Sequence, residues 1–426
     1  MKKVIDKYKL ILILIIIFAI LIRICFIYKT NISKFQSDMG IGSLNSEEDY
    51  DNLYHNFSEE PNKGRHINYI LHLYTYNELP NRIIGQFYHP PLHHFIMASW
   101  LKIMDVFSDV SSFKFESMQI IPLIYSIIIL FVLYKILKEL EIEDKYKIIP
   151  MLIFSFYPLF VIMSGSLNND ELVTLFCTIC LLYLIKWNKK PDMKNAIIIA
   201  LAIGFGLMTK TSIAVMIIPA VYIYFKKLAE FVNNDKSIKT LLFELLVFAI
   251  IVGVLGLWFH VYSFARGLNT IGIIQPYDYL SIAGESIWNR FGIPNLLEIS
   301  NINIWNYLIY SSITYISELK NNFYFLIMAI LAVILSINSI YYMIKYNSEN
   351  RLLIYTFIAW WVSYFYLNIS MPYTCSMHSR YMMLPFFIAT FFLGMGLQKE
   401  KSKLLKIQIY ISSIILTIMS IIYIIV

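Results

Sequence analysis

Long apolar runs separated by short charged connectors set the pattern of this chain. The runs fall at 10–28, 117–138, 146–164, 171–187, 194–209, 211–225, 240–262, 322–345, 352–369, 381–397 and 404–426. A helix crossing the hydrocarbon core of a bilayer takes about 20 mostly apolar residues. The pattern therefore predicts about eleven transmembrane helices. A twelfth candidate, 91–107, is shorter and mixes apolar with polar positions.

Charge in the connectors decides how to treat that twelfth segment. If 91–107 does not cross, the N-terminus and the connectors near 139–147, 186–194, 226–239, 345–351 and 399–406 share one side. That side then holds 22 Lys and Arg against 10 Asp and Glu, and the opposite side 12 against 17; Arg23 and Glu244 lie within helices. Cytoplasmic loops are enriched in Lys and Arg. The split puts the N-terminus in the cytoplasm and makes 91–107 a helix on the outer surface of the membrane. Were it to cross, every later lysine-rich connector would face outward. The formal net charge of +7 is thus a topology signal. No basic run or stripe calls for a nucleic-acid partner.

Composition agrees. Hydrophobic residues make up 58% of the chain, charged residues 15%, and mean hydropathy is +0.63. Soluble domains carry about 25% charged residues, so a soluble fold of this length could not cover its surface. The N-terminal MKKVIDKYK followed by an apolar stretch is like a signal peptide, but without a small-residue cleavage site, and is expected to stay as an anchor. Cys177 and Cys180 form a C-x-x-C inside an apolar run and read as buried, inert thiols; with Cys25 and Cys375 they imply no disulfide framework.

Two outer segments are large, 29–116 and 263–321. The polar chemistry gathers on that side. All eight histidines (His55, His66, His72, His89, His93, His94, His260 and His378) fall there or at an outer helix end. Asp38 stands about ten residues past the first run and reads either as a general base at the membrane surface or as a solvated loop aspartate. The acidic run Glu47–Asp51 reads as solvated surface, with cation binding as the functional option. His89-Pro90-Pro91-Leu92-His93-His94 opens the surface helix, because proline can start a helix but not sit inside one. Imidazoles at a helix N-terminus suit a phosphate; interfacial packing explains them as well.

Asp170 and Glu171 begin a helix after a very short outer connector (SGSLNN), where a charge at membrane depth needs a partner. They cap the helix dipole or hold a divalent cation or donor. Lys210 interrupts an apolar hairpin at an outer turn, and Arg380 sits before Tyr381 at the outer end of a later span. Two cations at one level suit a phosphate head group, or else snorkel to lipid phosphates.

This arrangement resembles the GT-C fold polyprenyl-phosphate-sugar glycosyltransferases, in particular the clan of protein O-mannosyltransferases and lipid A aminoarabinose transferases (glycosyltransferase family 39-like). The residues that carry the resemblance are Asp38 early in the first outer loop, the stretch Gly64–Tyr76, Pro90-Pro91-Leu92, the acidic pair Asp170-Glu171, the Thr-Lys-Thr turn at Lys210, and Arg380-Tyr381. It covers residues 10–225 well and only Arg380-Tyr381 beyond. Asp38 is followed by Met39 where the mannosyltransferases commonly show Asp-Glu. The resemblance implies two juxtamembrane helices in the first outer loop and an inverting transfer of sugar from a polyprenyl phosphate at the outer face of the cell membrane. Asp38 would be the base. His66, His89, His93, His94, Asp170, Glu171, Lys210, Arg380 and Tyr381 would bind the donor. Asp170 and Glu171 are the candidate ligands should a divalent cation take part; no other cofactor is implied. The acceptor would be a protein, lipid or glycan, with membrane lipids as surroundings. The catalytic module would span 1–262, including the outer loop 29–116, and the variable part 263–426. A lipid or solute transporter or flippase is the rival reading, but it predicts ionisable residues along a path within spans, and here only Arg23 and Glu244 lie there. A cell-wall polymer ligase or polymerase of the same fold would place its chemistry in the late outer loop, where the charges are spread thinly.

Overall fold

The computed structural model describes residues 7–33, 44–55, 66–82, 86–233, 238–268, 281–294, 302–314, 323–348 and 350–425. They form helices α1 (Lys7–Lys29), α2 (Glu47–His55), α3 (His66–Tyr76), α4 (Leu92–Met104), α5 (Ser111–Ser117), α6 (Ile120–Glu139), α7 (Asp144–Phe156), α8 (Pro158–Ile162), α9 (Asp170–Lys189), α10 (Met193–Leu207), α11 (Ile217–Asn233), α12 (Lys239–Gly256), α13 (Trp258–Ala265), α14 (Ile287–Phe291), α15 (Ile304–Ile313), α16 (Phe323–Lys345), α17 (Arg351–Ser370), α18 (Met383–Lys399) and α19 (Lys403–Ile425). Among the described residues no strand forms beyond an isolated antiparallel bridge between Ser281 and Tyr373.

A helix occupies each of the eleven expected positions. Eight are long and apolar enough to cross a membrane by length and composition, and nine if the bent pair Asp144–Phe156 and Pro158–Gly165 is one span. The other two predicted runs are α9 and α10. Charges occupy the first and last turns of α9, and α10 has only 15 residues, so each has a shorter apolar stretch. Along α12, Leu242, Phe243, Leu246, Ile250 and Val254 are all exposed. Such a face would be forbidden in water and is natural against lipid tails. The protein is a multi-pass membrane protein. In 91–107, α4 has 13 residues, about 20 Å of helix, short of a bilayer core.

By internal contacts the chain forms two compact units. Unit 1 takes Met1–Phe26, Ile129–Met163 and Pro276–Val426; unit 2 takes Ile27–Ile128 and Ser164–Gln275.

Within unit 1, α7 and α8 meet at a 55° bend. Tyr157 between them is extended and Pro158 starts α8, so carbonyls before the proline lose their helical donors. Arg23 of α1, 1% exposed, supplies replacements. Its guanidinium donates to the carbonyls of Ser155 at 2.7 Å, Phe154 at 3.1 Å and Phe160 at 3.5 Å. This explains the arginine inside a span: an ionised group buried in a bilayer must be hydrogen-bonded, and carbonyls freed by a bend need donors.

Within unit 2, α10 packs against α9 on one side and α12 on the other. Contact with α12 is close because of small residues: a Cβ on Gly256 would lie 2.7 Å from Leu207 Cδ1, and one on Gly204 would lie 3.0 Å from Leu255 Cβ. Close approach at glycine is how membrane helices gain packing energy without a hydrophobic drive. The acidic run 47–51 has a structural part in the same unit. Glu47 accepts from the Ser112 N–H at 3.0 Å, Asp51 from the Ser111 hydroxyl at 2.5 Å, and Tyr50 donates to Glu116 at 2.5 Å. These bonds dock α2 on α5.

Candidate active site

The predicted site residues that are described in unit 2 converge where three segments meet: the start of α4, the connector Ser164–Asn169 before α9, and the turn Met208–Lys210 after α10. Four bonds join them. The Leu92 N–H donates to the Met208 carbonyl at 2.9 Å. His93 Nε2 lies 2.8 Å from the Leu167 carbonyl. Asn169 Nδ2 donates to the Thr209 carbonyl at 3.0 Å. Lys210 Nζ donates to Asp170 Oδ1 as an ion pair, with 12% and 5% of the two side chains exposed.

Local sequence explains each segment. Pro90 and Pro91 stop the chain from being helical earlier and launch α4 with its first N–H group turned to an outside carbonyl. At the start of α9, the Asn168 side chain accepts from the Asp170 N–H at 3.0 Å, which satisfies one orphan donor of the first turn. Asp170 is therefore not needed as a cap, and its carboxylate is available to Lys210. At the turn, Lys210 is extended (φ −162°) ahead of the short 3-10 helix Thr211–Met216, and its N–H reaches back to the Gly206 carbonyl at 2.8 Å.

A histidine layer lies behind this junction. His66, at the start of α3, places Nδ1 2.8 Å from His94 Nε2 of α4. The His66 ring also stacks on His89, with centroids 5.8 Å apart, and Tyr69 stacks on His94 at 4.2 Å. His66, His93 and His94 are buried, while His89 is part-exposed. Burial pushes the His93 imidazole down to about 4. Burial, and then the neighbouring His66 and His93 rings, hold His94 well below the ordinary imidazole range. Both are neutral at physiological pH. His93 Nδ1 and Asn169 Oδ1 are buried and find no hydrogen-bond partner among the described residues, which leaves polar capacity unused beside the junction.

The other predicted residues stand as follows. Asp38 lies outside the described residues. Glu171 is buried on the first turn of α9. Arg380 and Tyr381 belong to unit 1, in the short 3-10 helix Ser379–Met382 ahead of α18. There Arg380 Nη2 donates to the Tyr381 hydroxyl at 3.0 Å, and the Ser379 N–H donates to Ser311 of α15 at 2.9 Å. Among the described residues no group of three or more His, Cys, Asp or Glu side chains is arranged to hold a metal ion; of the two candidate cation ligands, Asp170 is ion-paired with Lys210. Sequence reasoning overlooked Asn168, Asn169 and Tyr69. Two asparagines directly before an acidic helix start were the available signal for the first two; nothing in the sequence marked Tyr69.

Residues 88–258 match the model of a family described as dolichyl-phosphate-mannose-protein mannosyltransferase. That range contains all four bonds of the junction. Among solved structures the chain is similar to ArnT from Cupriavidus metallidurans bound to undecaprenyl phosphate, with a TM-score of 0.50 and 11% identity over 91% of this chain and 60% of that one. It is also similar to the oligosaccharyltransferase of Archaeoglobus fulgidus in its apo form, with a TM-score of 0.54 and 13% identity over 100% of this chain and 57% of that one. The chain thus spans about three-fifths of the length of these structures, and at such identities the likeness is one of fold. No protein of curated function matches the sequence. The chain is thus a multi-pass membrane protein that shares the GT-C fold of these structures, and its segment 88–258 is similar to the protein mannosyltransferase family.

Proposed function

We propose that this protein is an inverting glycosyltransferase that moves a sugar from a polyprenyl-phosphate donor to an acceptor at the outer face of the membrane. The observation that carries the reading is the buried Asp170–Lys210 pair, placed by the α4 start and the α9 connector within the segment that matches the mannosyltransferase family. ArnT, similar in fold, was solved with undecaprenyl phosphate, a lipid of the proposed leaving-group class.

In this reading the acceptor heteroatom attacks the anomeric carbon from the face opposite the phosphate. Asp38 takes its proton. The bond from the anomeric carbon to the phosphate oxygen breaks, and the electron pair leaves on the polyprenyl monophosphate. The developing charge needs fixed positive groups in a dry site. Lys210 supplies one, oriented by Asp170; Arg380 is given the same role by the resemblance alone. His89, the part-exposed member of the layer, offers a hydrogen bond to the phosphate. His66, His93 and His94 act through position: neutral and buried, they fix where α3 and α4 meet the α9 connector. Glu171 orients the donor sugar and Tyr381 holds Arg380.

The test uses the purified full-length protein with a panel of polyprenyl-phosphate sugars, reading release of free polyprenyl phosphate. Turnover with at least one donor, lost in Lys210→Met, is expected. No turnover with any donor, combined with movement of labelled lipid between leaflets, would replace this reading by that of a flippase.

A further inference from the structure

A second polar group is buried in unit 2, far along the chain from the junction and at the other ends of its helices. Glu244 stands five residues into α12, about 7.5 Å along the helix, and is 3% exposed. Trp187, two residues before the end of α9, donates its indole N–H to Glu244 Oε2 at 2.9 Å. Glu244 lines a cavity of about 170 Å³ formed by α9, α10, α11 and α12. Tyr224 lines the same space, and its hydroxyl is buried with no hydrogen-bond partner among the described residues. Everything else around it is apolar, including Ile199, Ile217 and Phe248. Val221, Phe225 and Leu245 on its rim are among the exposed side chains of the lipid-facing surface.

This is the layout of a site for an amphiphile. Glu244 and Trp187 lie near the lysine-rich ends of their helices, while Ile217 and Phe248 lie deeper, so the polar groups of the cavity sit toward its lysine-rich end. Apolar cavities of ~150 Å³ take up a ring the size of benzene, so this one holds a short length of lipid chain. A carboxylate at membrane depth calls for a partner, and one hydrogen bond from an indole leaves Oε1 wanting a donor. Lys226 stands beside the cavity and reaches Asn188, the neighbour of Trp187, at 3.3 Å; Glu230 is held by Lys227 at 2.7 Å and lies 3.8 Å from Lys226, so Lys226 is the cation less tightly engaged. A ligand with a hydrogen-bond-donating cation, a phosphate beside it and an apolar chain meets all three features.

We propose that this cavity binds an amino-phospholipid of the phosphatidylethanolamine class from the lysine-rich side of the membrane. Its ammonium donates to Glu244 and Tyr224, its phosphate meets Lys226, and the start of one acyl chain fills the apolar part of the cavity. The proposal is independent of glycosyl transfer and concerns the opposite ends of α9 and α10 from the junction.

Native mass spectrometry of the detergent-solubilised full-length protein tests it, titrating dioleoyl phosphatidylethanolamine, phosphatidylglycerol or phosphatidylcholine. The tightest phosphatidylethanolamine is expected to bind at least tenfold more weakly in Glu244→Gln, which keeps an acceptor for Trp187, while the other two lipids are unaffected. Ala220→Phe, which fills the cavity and leaves Glu244 in place, is expected to show the same selective loss and covers the case of a poorly folding Glu244 variant. Equal phosphatidylethanolamine binding by wild type and both variants would overturn the site. Equally strong, Glu244-dependent binding of phosphatidylcholine, whose ammonium has no N–H, would overturn the assigned head group.

Discussion

Lys210 and Asp170, separated by 40 positions in the chain, form one buried ion pair between the turn after α10 and the start of α9. The pair turns two isolated membrane charges into a fixed dipole beside the start of α4. Removing one partner of a buried pair costs about 3–5 kcal/mol, because the other charge is left without compensation, whereas replacing both by neutral groups is often tolerated. Lys210→Met and Asp170→Asn should each lower the unfolding midpoint of the solubilised protein strongly, and the double variant should recover most of the loss. Transfer activity should stay absent in the double variant. If it returned along with stability, Lys210 would have no part in offsetting the phosphate.

The neutral histidines make the layer between α3 and α4 acid-sensitive. Burial holds His93 down to about 4 in the folded protein and His94 well below the ordinary imidazole range, against about 6.5 in an unfolded chain. Between those values the unfolded chain binds more protons, so stability falls as pH falls. The contribution is complete above about pH 6.5. For His93 alone it amounts to on the order of 3 kcal/mol and is lost by about pH 4. The charged neighbour that opposes this for His93 is Asp170; for His94 the neighbours are His66 and His93, which act with burial. Hydrogen exchange in α3 and α4 should accelerate from pH 6.5 to 4.5 in wild type. His93→Gln, which still reaches the Leu167 carbonyl, should flatten part of that slope. An unchanged slope in the variant would remove His93 from the effect.

Arg23 and the α7–α8 bend form a second dependency, within unit 1. Arg23→Leu is hydrophobic enough for a span, yet it should destabilise the protein by about 2–5 kcal/mol, since several carbonyls at the bend lose their donor in a medium without water. Arg23→Lys should recover only part of this, because one ammonium cannot fork to Ser155, Phe154 and Phe160 at once. Thermal unfolding of the two variants in detergent measures the difference; equal stability of wild type and Arg23→Leu would mean that the bend holds without it.

Asp38 is assigned by chemistry and by resemblance. Asp38→Asn should abolish sugar transfer while unfolding and binding of the polyprenyl-phosphate donor stay as in wild type. Transfer at near wild-type rate would show that another group takes the acceptor proton.

Much of this was legible in the residue order. Apolar run lengths set the class, and Pro90-Pro91 fixed where α4 begins, because these are local properties of one stretch of chain at a time. His93, Asp170 and Lys210 were likewise identifiable as polar residues in places where polarity is costly. Their partners were not. That Lys210 serves Asp170, that His93 faces the Leu167 carbonyl and His94 faces His66, and that Arg23 answers a bend more than a hundred residues later are all pairings across sequence. Periodicity carries no trace of them, since many arrangements of the same helices satisfy the same hydrophobic pattern. Only the packed structure selects one, through the rule that each buried charge and each carbonyl freed by a bend must find a partner where no water can reach it.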